Sequence, residues 1–192
     1  MSKLIVNTIE AQTYKYDSDT TGMTITSAGI VNHPQRIIKG YYLTSNYTTT
    51  SSAVVMTGWS SINGNYFKPN GPSDAITESS GEFTFGYTGM YRVYATICAN
   101  TGSSTRWIQC DVQHAHPGGS YGGWDQYNYM QETESTTTYT QMHRERYVNV
   151  TTTGSSGNKI RLQIASSQVV SIRGTAAKNT VIYFERIGDA VT

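Results

Sequence analysis

The chain has 192 residues, a formal net charge of +1 and only 14% charged residues, so it carries neither a basic stripe to track phosphates nor a basic face for a membrane surface. Its polarity comes from Ser, Thr, Asn, Gln and Gly, with 15 Tyr residues and few helix formers, which argues against a helical fold and for an all-β one. That length suits one domain with its own core and a short appendage.

Residues 1–34 are the appendage. Leu4, Val6 and Thr8 alternate with Ile5, Asn7 and Ile9, and after a polar stretch Met23, Thr24 and Ile25 form a second short run. Two short strands cannot bury a core alone, so this segment is expected to pair with sister chains or with another protein. It has no long apolar run, so neither a signal peptide nor a membrane span is expected. The sequons at Asn46 and Asn149 are accordingly read as chance in a Thr-rich chain. His33-Pro34 marks the boundary, because Pro restricts its predecessor to extended geometry and cannot continue a central ladder.

Residues 35–192 are the main domain. Ile37, Ile38, Tyr41, Tyr42 and Leu43 give its first strand, Ala53 to Met56 begin another, and Asn63-Gly64 is a tight-turn dipeptide. From Gly81 to Val112 the strand chemistry is densest. Phe83 and Phe85 alternate with Glu82 and Thr84, and Tyr91, Val93, Ala95 and Ile97 share one face against Arg92, Tyr94, Thr96 and Cys98. Ala99 to Thr105 has loop composition, and Arg106 to Val112 resumes as a strand. A hairpin pivoting near Gly102 sets Ile97 opposite Ile108, Ala95 opposite Cys110 and Val93 opposite Val112. In that register Cys98 and Cys110 face opposite sides of the sheet, so both are expected as free thiols, Cys110 in the core.

Beyond Val112 the chain loosens into a Gly- and Tyr-rich stretch from His114 to Thr138, too long for a hairpin loop. Met142, Arg144, Arg146, Val148 and Val150 then alternate with His143, Glu145, Tyr147 and Asn149; Ile160, Leu162 and Ile164 give a clean apolar face, and Thr180 to Ile187 closes the series. Strands throughout, with no credible helix, predict a jelly-roll β-sandwich.

The spacing of Gly81, Phe83, Thr84, Gly89 and Tyr91, followed by an aromatic-led strand, resembles the central signature of the complement-type and tumour-necrosis-factor-like globular head, a trimer-forming jelly roll. The opening SKLIVNTIEAQ with the later GMTITSAGIV resembles the N-terminal region of tail-fibre and capsid-fibre proteins of marine bacteriophages. Together these resemblances imply a non-enzymatic virion structural protein, assembled in the host bacterial cytoplasm. It would dock to capsid or tail proteins through residues 1–34 and present a homotrimeric head outward.

Three groups of residues are candidates for chemistry. His114 and His116, two apart on a strand, project from one face and are placed to hold a divalent ion, or are simply polar strand-end residues before a Pro-Gly-Gly turn. Tyr121, Trp124, Asp125, Tyr127 and Tyr129 suit sugar rings, whose C–H faces stack on aromatics while polar groups take the hydroxyls, and suit a protein contact equally. The alternative function is therefore a module that recognises a host-surface glycan or receptor through the His114 to Thr138 loop. His114, His116 and His143 imitate part of a cupin metal set without its carboxylate, and Asp74 with Glu78 reads as solvated loop chemistry. With no nucleophile elbow, zinc-protease, P-loop or dinucleotide motif, no enzyme activity and no cofactor are expected.

Overall fold

The computed structural model describes residues 13–15, 21–25, 31–32, 37–49, 52–64, 69–101, 105, 107–118, 121–122, 138–175 and 179–191. Among them there is no helix. Strands β1 (Thr13–Lys15), β2 (Thr21–Ile25) and β3 (Val31–Asn32) form a three-stranded antiparallel sheet of their own.

The remaining strands are β4 (Ile38–Leu43), β5 (Tyr47–Thr48), β6 (Val54–Val55), β7 (Trp59–Ser61), β8 (Ile76–Ser79) and β9 (Glu82–Phe85). They continue with β10 (Gly89–Thr101), β11 (Ile108–Ala115), β12 (Tyr121–Gly122), β13 (Thr138–Val150), β14 (Lys159–Ser166), β15 (Ser171–Ile172) and β16 (Val181–Gly188). One sheet runs β5-β15-β10-β16-β4-β7, with β13 along the other edge of β10; the second runs β12-β11-β14-β9-β8, with β6 beside β14. Apart from the neighbour pairs β8-β9 and β11-β12, these strands pair with partners distant in sequence, which is how a jelly roll is wound.

Alternation decides what the sandwich encloses. Tyr91, Val93, Ala95, Ile97 and Ala99 of β10 point inward, and so do Ile108, Cys110 and Val112 of β11 and Ile160, Leu162 and Ile164 of β14. Phe83 lies at the centre, its ring 5.1 Å from Tyr41, 5.1 Å from Phe184 and 5.7 Å from Trp59. Burying such a side chain contributes about 1.5–3 kcal/mol. The amphipathic aromatics keep partners while buried: Tyr41 Oη donates to the Ile76 carbonyl at 2.6 Å, and Trp59 Nε1 to the Met56 carbonyl at 2.8 Å.

One expected pairing is absent. Strands β10 and β11 are not a hairpin: β10 pairs with β13 and β16, whereas β11 pairs with β14 in the opposite sheet. Val93, Ala95 and Ile97 do share the core with Ile108, Cys110 and Val112, but across the sandwich and not side by side. The strand also runs further than its composition suggests, since Asn100 and Thr101 are still paired with Tyr139 and Thr138. Both cysteines are free and buried.

Candidate functional site

The two outward faces of the sandwich differ in kind, and the difference starts in the residues set on the outward parity of each strand. On the second sheet, register aligns Thr77, Thr84 and Lys159 in one cross-strand row and Ser79, Glu82, Arg161 and Gln113 in the next. These side chains bond to one another. Thr77 and Thr84 hydroxyls are 2.6 Å apart, Lys159 Nζ is 3.0 Å from Glu82 Oε2, Arg161 Nε donates to Gln113 Oε1 at 2.7 Å, and Gln113 Nε2 donates to Gln163 Oε1 at 2.7 Å. The result is a polar lattice, with no aromatic residue in either of these two rows.

The first sheet presents Tyr residues. Tyr94 and Tyr183 are paired across β10 and β16, and Tyr183 is paired with Gly40 of β4. A Cβ at Gly40 would lie 2.8 Å from two Tyr183 ring carbons, so the ring covers bare backbone there. Beside them Arg92 Nη2 meets Glu145 Oε2 at 2.7 Å, a bond that holds the Glu145 carboxyl below its usual range. Burial raises the Tyr183 hydroxyl pKa above its ordinary value. His143 Nδ1 lies 2.8 Å from Tyr94 Oη and 3.1 Å from Thr96 Oγ1, its ring stacked on Tyr94 with an interplanar angle of 14°. Ile38, Arg92, Tyr94, Tyr183, Phe184 and Glu185 line a cavity of about 320 Å3, and Tyr147 stands 58% exposed on the same face.

The sheets are joined along one side by arginines. Arg144 and Arg146 sit on the inward parity of β13 with Met142, Val148 and Val150; Arg144 Nε reaches the Cys110 carbonyl at 2.9 Å and Arg146 Nη1 the Val112 carbonyl at 3.0 Å. The sequence suggests surface or inter-subunit ion pairs for Arg144, Glu145 and Arg146. Glu145 does pair at the surface, with Arg92, whereas both arginines bind the main chain of β11.

His114 and His116 are brought together, their ring centroids 4.4 Å apart. His116 is exposed, but His114 is buried with Nε2 2.9 Å from Asn158 Nδ2. Asn158 Oδ1 accepts from the amides of Thr151 and Thr152, which fixes the amide so that its NH2 donates to His114. That imidazole lone pair is already used. Among the described residues no three His, Cys, Asp or Glu side chains converge to hold a metal ion. His143 is on the other sheet, against Tyr94, so the three histidines do not form one set.

Trp124, Asp125, Tyr127 and Tyr129 lie outside the described residues, and Tyr121 is placed only as part of β12. Sequence reasoning missed Tyr94, Tyr183 and Gly40 as a site. The available signal was a Tyr on the outward parity of each of two strong strands.

No family model matches the chain, and no curated protein matches it. Solved structures do. A structure of Eiger TNF from S. frugiperda superposes with a TM-score of 0.61 at 14% identity, covering 82% of this chain and 96% of that one. Murine APRIL superposes with a TM-score of 0.52 at 11% identity, covering 80% of this chain and 100% of that one. At such identities the likeness is one of fold, and on that ground the chain is an all-β jelly roll of the TNF-like kind.

Proposed function

We propose that this chain is a non-enzymatic structural protein of a bacteriophage virion, a fibre or decoration head. It docks to capsid or tail proteins through residues 1–34 and associates with two sister chains through the outward face of the first sheet. The observation that carries this reading is the Tyr94, Tyr183 and Tyr147 face. Rigid aromatics around a cavity, bordered by charges already paired within the chain, are what a self-associating surface presents. Supporting it are the TNF-like fold, which resembles trimer-forming heads, and the separate sheet β1 to β3, too small to hold a core of its own. A trimer would also cover strand edges that are otherwise open to aggregation.

Native mass spectrometry tests the assembly. The wild-type chain is expected as a trimer, and Tyr94→Ala with Tyr183→Ala as a folded monomer; a wild-type monomer across concentrations would overturn it. Immunogold labelling of purified phage particles tests the location.

A further inference from the structure

A second concavity lies on the opposite sheet, away from the Tyr face. It is a groove of about 600 Å3 lined by Thr77, Ser79, Glu82, Thr84, Ser155 and Lys159 together with Ser80 and Gly154. The fold makes it in a definite way. Strands β8 and β9 are joined by Ser80 and Gly81, both with positive φ (54° and 87°), which gives a two-residue turn of the primed kind that matches strand twist. Glu78 Oε1 accepts from the Gly81 amide at 2.7 Å and secures that turn. On the other side Gly154 donates to the Phe85 carbonyl at 3.0 Å, which seats the 151–158 turn against the end of β9. A hairpin and a turn thus form two walls, and the outward side chains of β9 and β14 form the floor.

The floor selects its ligand by exclusion. Every described lining residue is polar or glycine, so a ligand entering the groove meets hydroxyl, carboxylate and ammonium groups set on aliphatic stems. Glu82 and Lys159 neutralise each other at 3.0 Å, so neither an anion nor a cation is drawn in by net charge. Among the described lining residues there is no aromatic ring to stack a nucleobase. What remains is a row of hydroxyls, each able to donate and accept, flanking one carboxylate acceptor and one ammonium donor. That set matches a neutral, hydroxyl-rich molecule, whose vicinal hydroxyls can also donate to one charge and accept from the other. The volume lies within the usual range of ligand sites, roughly 300–1,000 Å3.

We infer that this groove is a binding site for a neutral oligosaccharide, with Glu82 and Lys159 as the paired acceptor and donor and the Thr77, Ser79 and Ser155 hydroxyls around them. The inference rests on the reading of the chain as an outward-facing head, and it names the surface by which such a head would hold a host glycan. It requires no part of the Tyr face, so a ligand and the sister chains can be accommodated together.

Titration calorimetry of the full chain against a panel of neutral oligosaccharides of two to six hexopyranose units tests it. At least one member is expected to bind, and the double variant Glu82→Ala with Lys159→Ala to lose at least tenfold in affinity. The variant should keep the wild-type circular-dichroism spectrum and native mass. Thr77→Val, which preserves shape and strand propensity, gives a second variant, expected to weaken binding severalfold. No binding by any member overturns the inference, as does binding that both variants retain. Binding that survives them but is lost in Trp124→Ala places the sugar on the aromatic stretch and overturns the groove. Failure here with an intact trimer on the particle leaves the assembly reading standing, and the reverse result separates the two as cleanly.

Discussion

Arg144 of β13 donates from Nε to the main-chain carbonyl of Cys110 in β11, and the two residues belong to different sheets. Arg146 repeats the contact one step along, on the carbonyl of Val112. Along this side, where among the described residues β11 pairs only with the short β12, guanidinium groups bond the main chain of β11.

Such bonds to a charged donor contribute about 1.5–3 kcal/mol each when shielded from water. Arg144→Ala and Arg146→Ala are therefore each expected to lower stability by about 1–3 kcal/mol. Their effects should not add, since the second carbonyl row opens once the first contact is gone. Urea unfolding of the two single variants and the double variant measures this. Lysine at either position should recover only part of the loss, because an ammonium lacks the planar fork.

Phe83 touches three other aromatic rings at the centre of the sandwich. Phe83→Ala is expected to cost about 3–5 kcal/mol, enough to unfold much of the population in a domain of ordinary stability. Thermal unfolding followed by near-ultraviolet circular dichroism reads it directly, while Phe83→Leu should lose far less.

Asn158 is 1% exposed and serves three groups at once: the amides of Thr151 and Thr152 and the His114 imidazole. Asn158→Ala strands all three and should destabilise by about 2–4 kcal/mol, since each buried orphan costs about 1–3 kcal/mol. Asn158→Asp keeps the two amide bonds and reverses the third, so that His114 completes it by carrying its hydrogen on Nε2. Its cost is expected to be smaller than that of Asn158→Ala, which urea unfolding of the two variants would show.

Alkaline pH should unfold the protein from within. Burial pushes the Cys110 thiol from 9.0 up to about 12, and the buried Tyr41 and Tyr91 hydroxyls from 10.0 up to about 12. All three are more willing to lose a proton in the unfolded chain than in the folded one. Their contribution is therefore complete below pH 9 and is lost progressively as pH rises from 9 toward 12. Denaturant midpoints recorded across that window should fall, and a colourless-to-yellow thiol reagent at pH 8 should report Cys110 only after unfolding.

The inward faces were legible in the sequence because alternation is a local property. Tyr91, Val93, Ala95 and Ile97 are the buried side of β10 as their spacing requires, and Ile160, Leu162 and Ile164 that of β14. Pairing was not legible for Ile97 and Ile108. In a sandwich, residues of adjacent strands and residues facing across the core show the same apolar spacing, and the loop between them is compatible with both. Arg144 and Arg146 were similarly opaque: charge on an inward parity looks like a surface pattern until the carbonyls it serves are known. The Tyr94 and Tyr183 face eluded the reading because an outward tyrosine on one strand is unremarkable, and only the register of β10 with β16 brings the second beside it.

The main chain enters and leaves the jelly roll at one place. Arg186 donates its amide to the Ile37 carbonyl, Ile38 is paired with Glu185, and Asn149 clamps the backbone of Val191 by accepting from its amide and donating to its carbonyl. A tag or fluorescent domain fused after residue 191 would therefore emerge at the pole where Ile37 enters the sandwich. Reporters for imaging belong instead in a surface turn away from that pole, where both chain ends of the sandwich stay unobstructed.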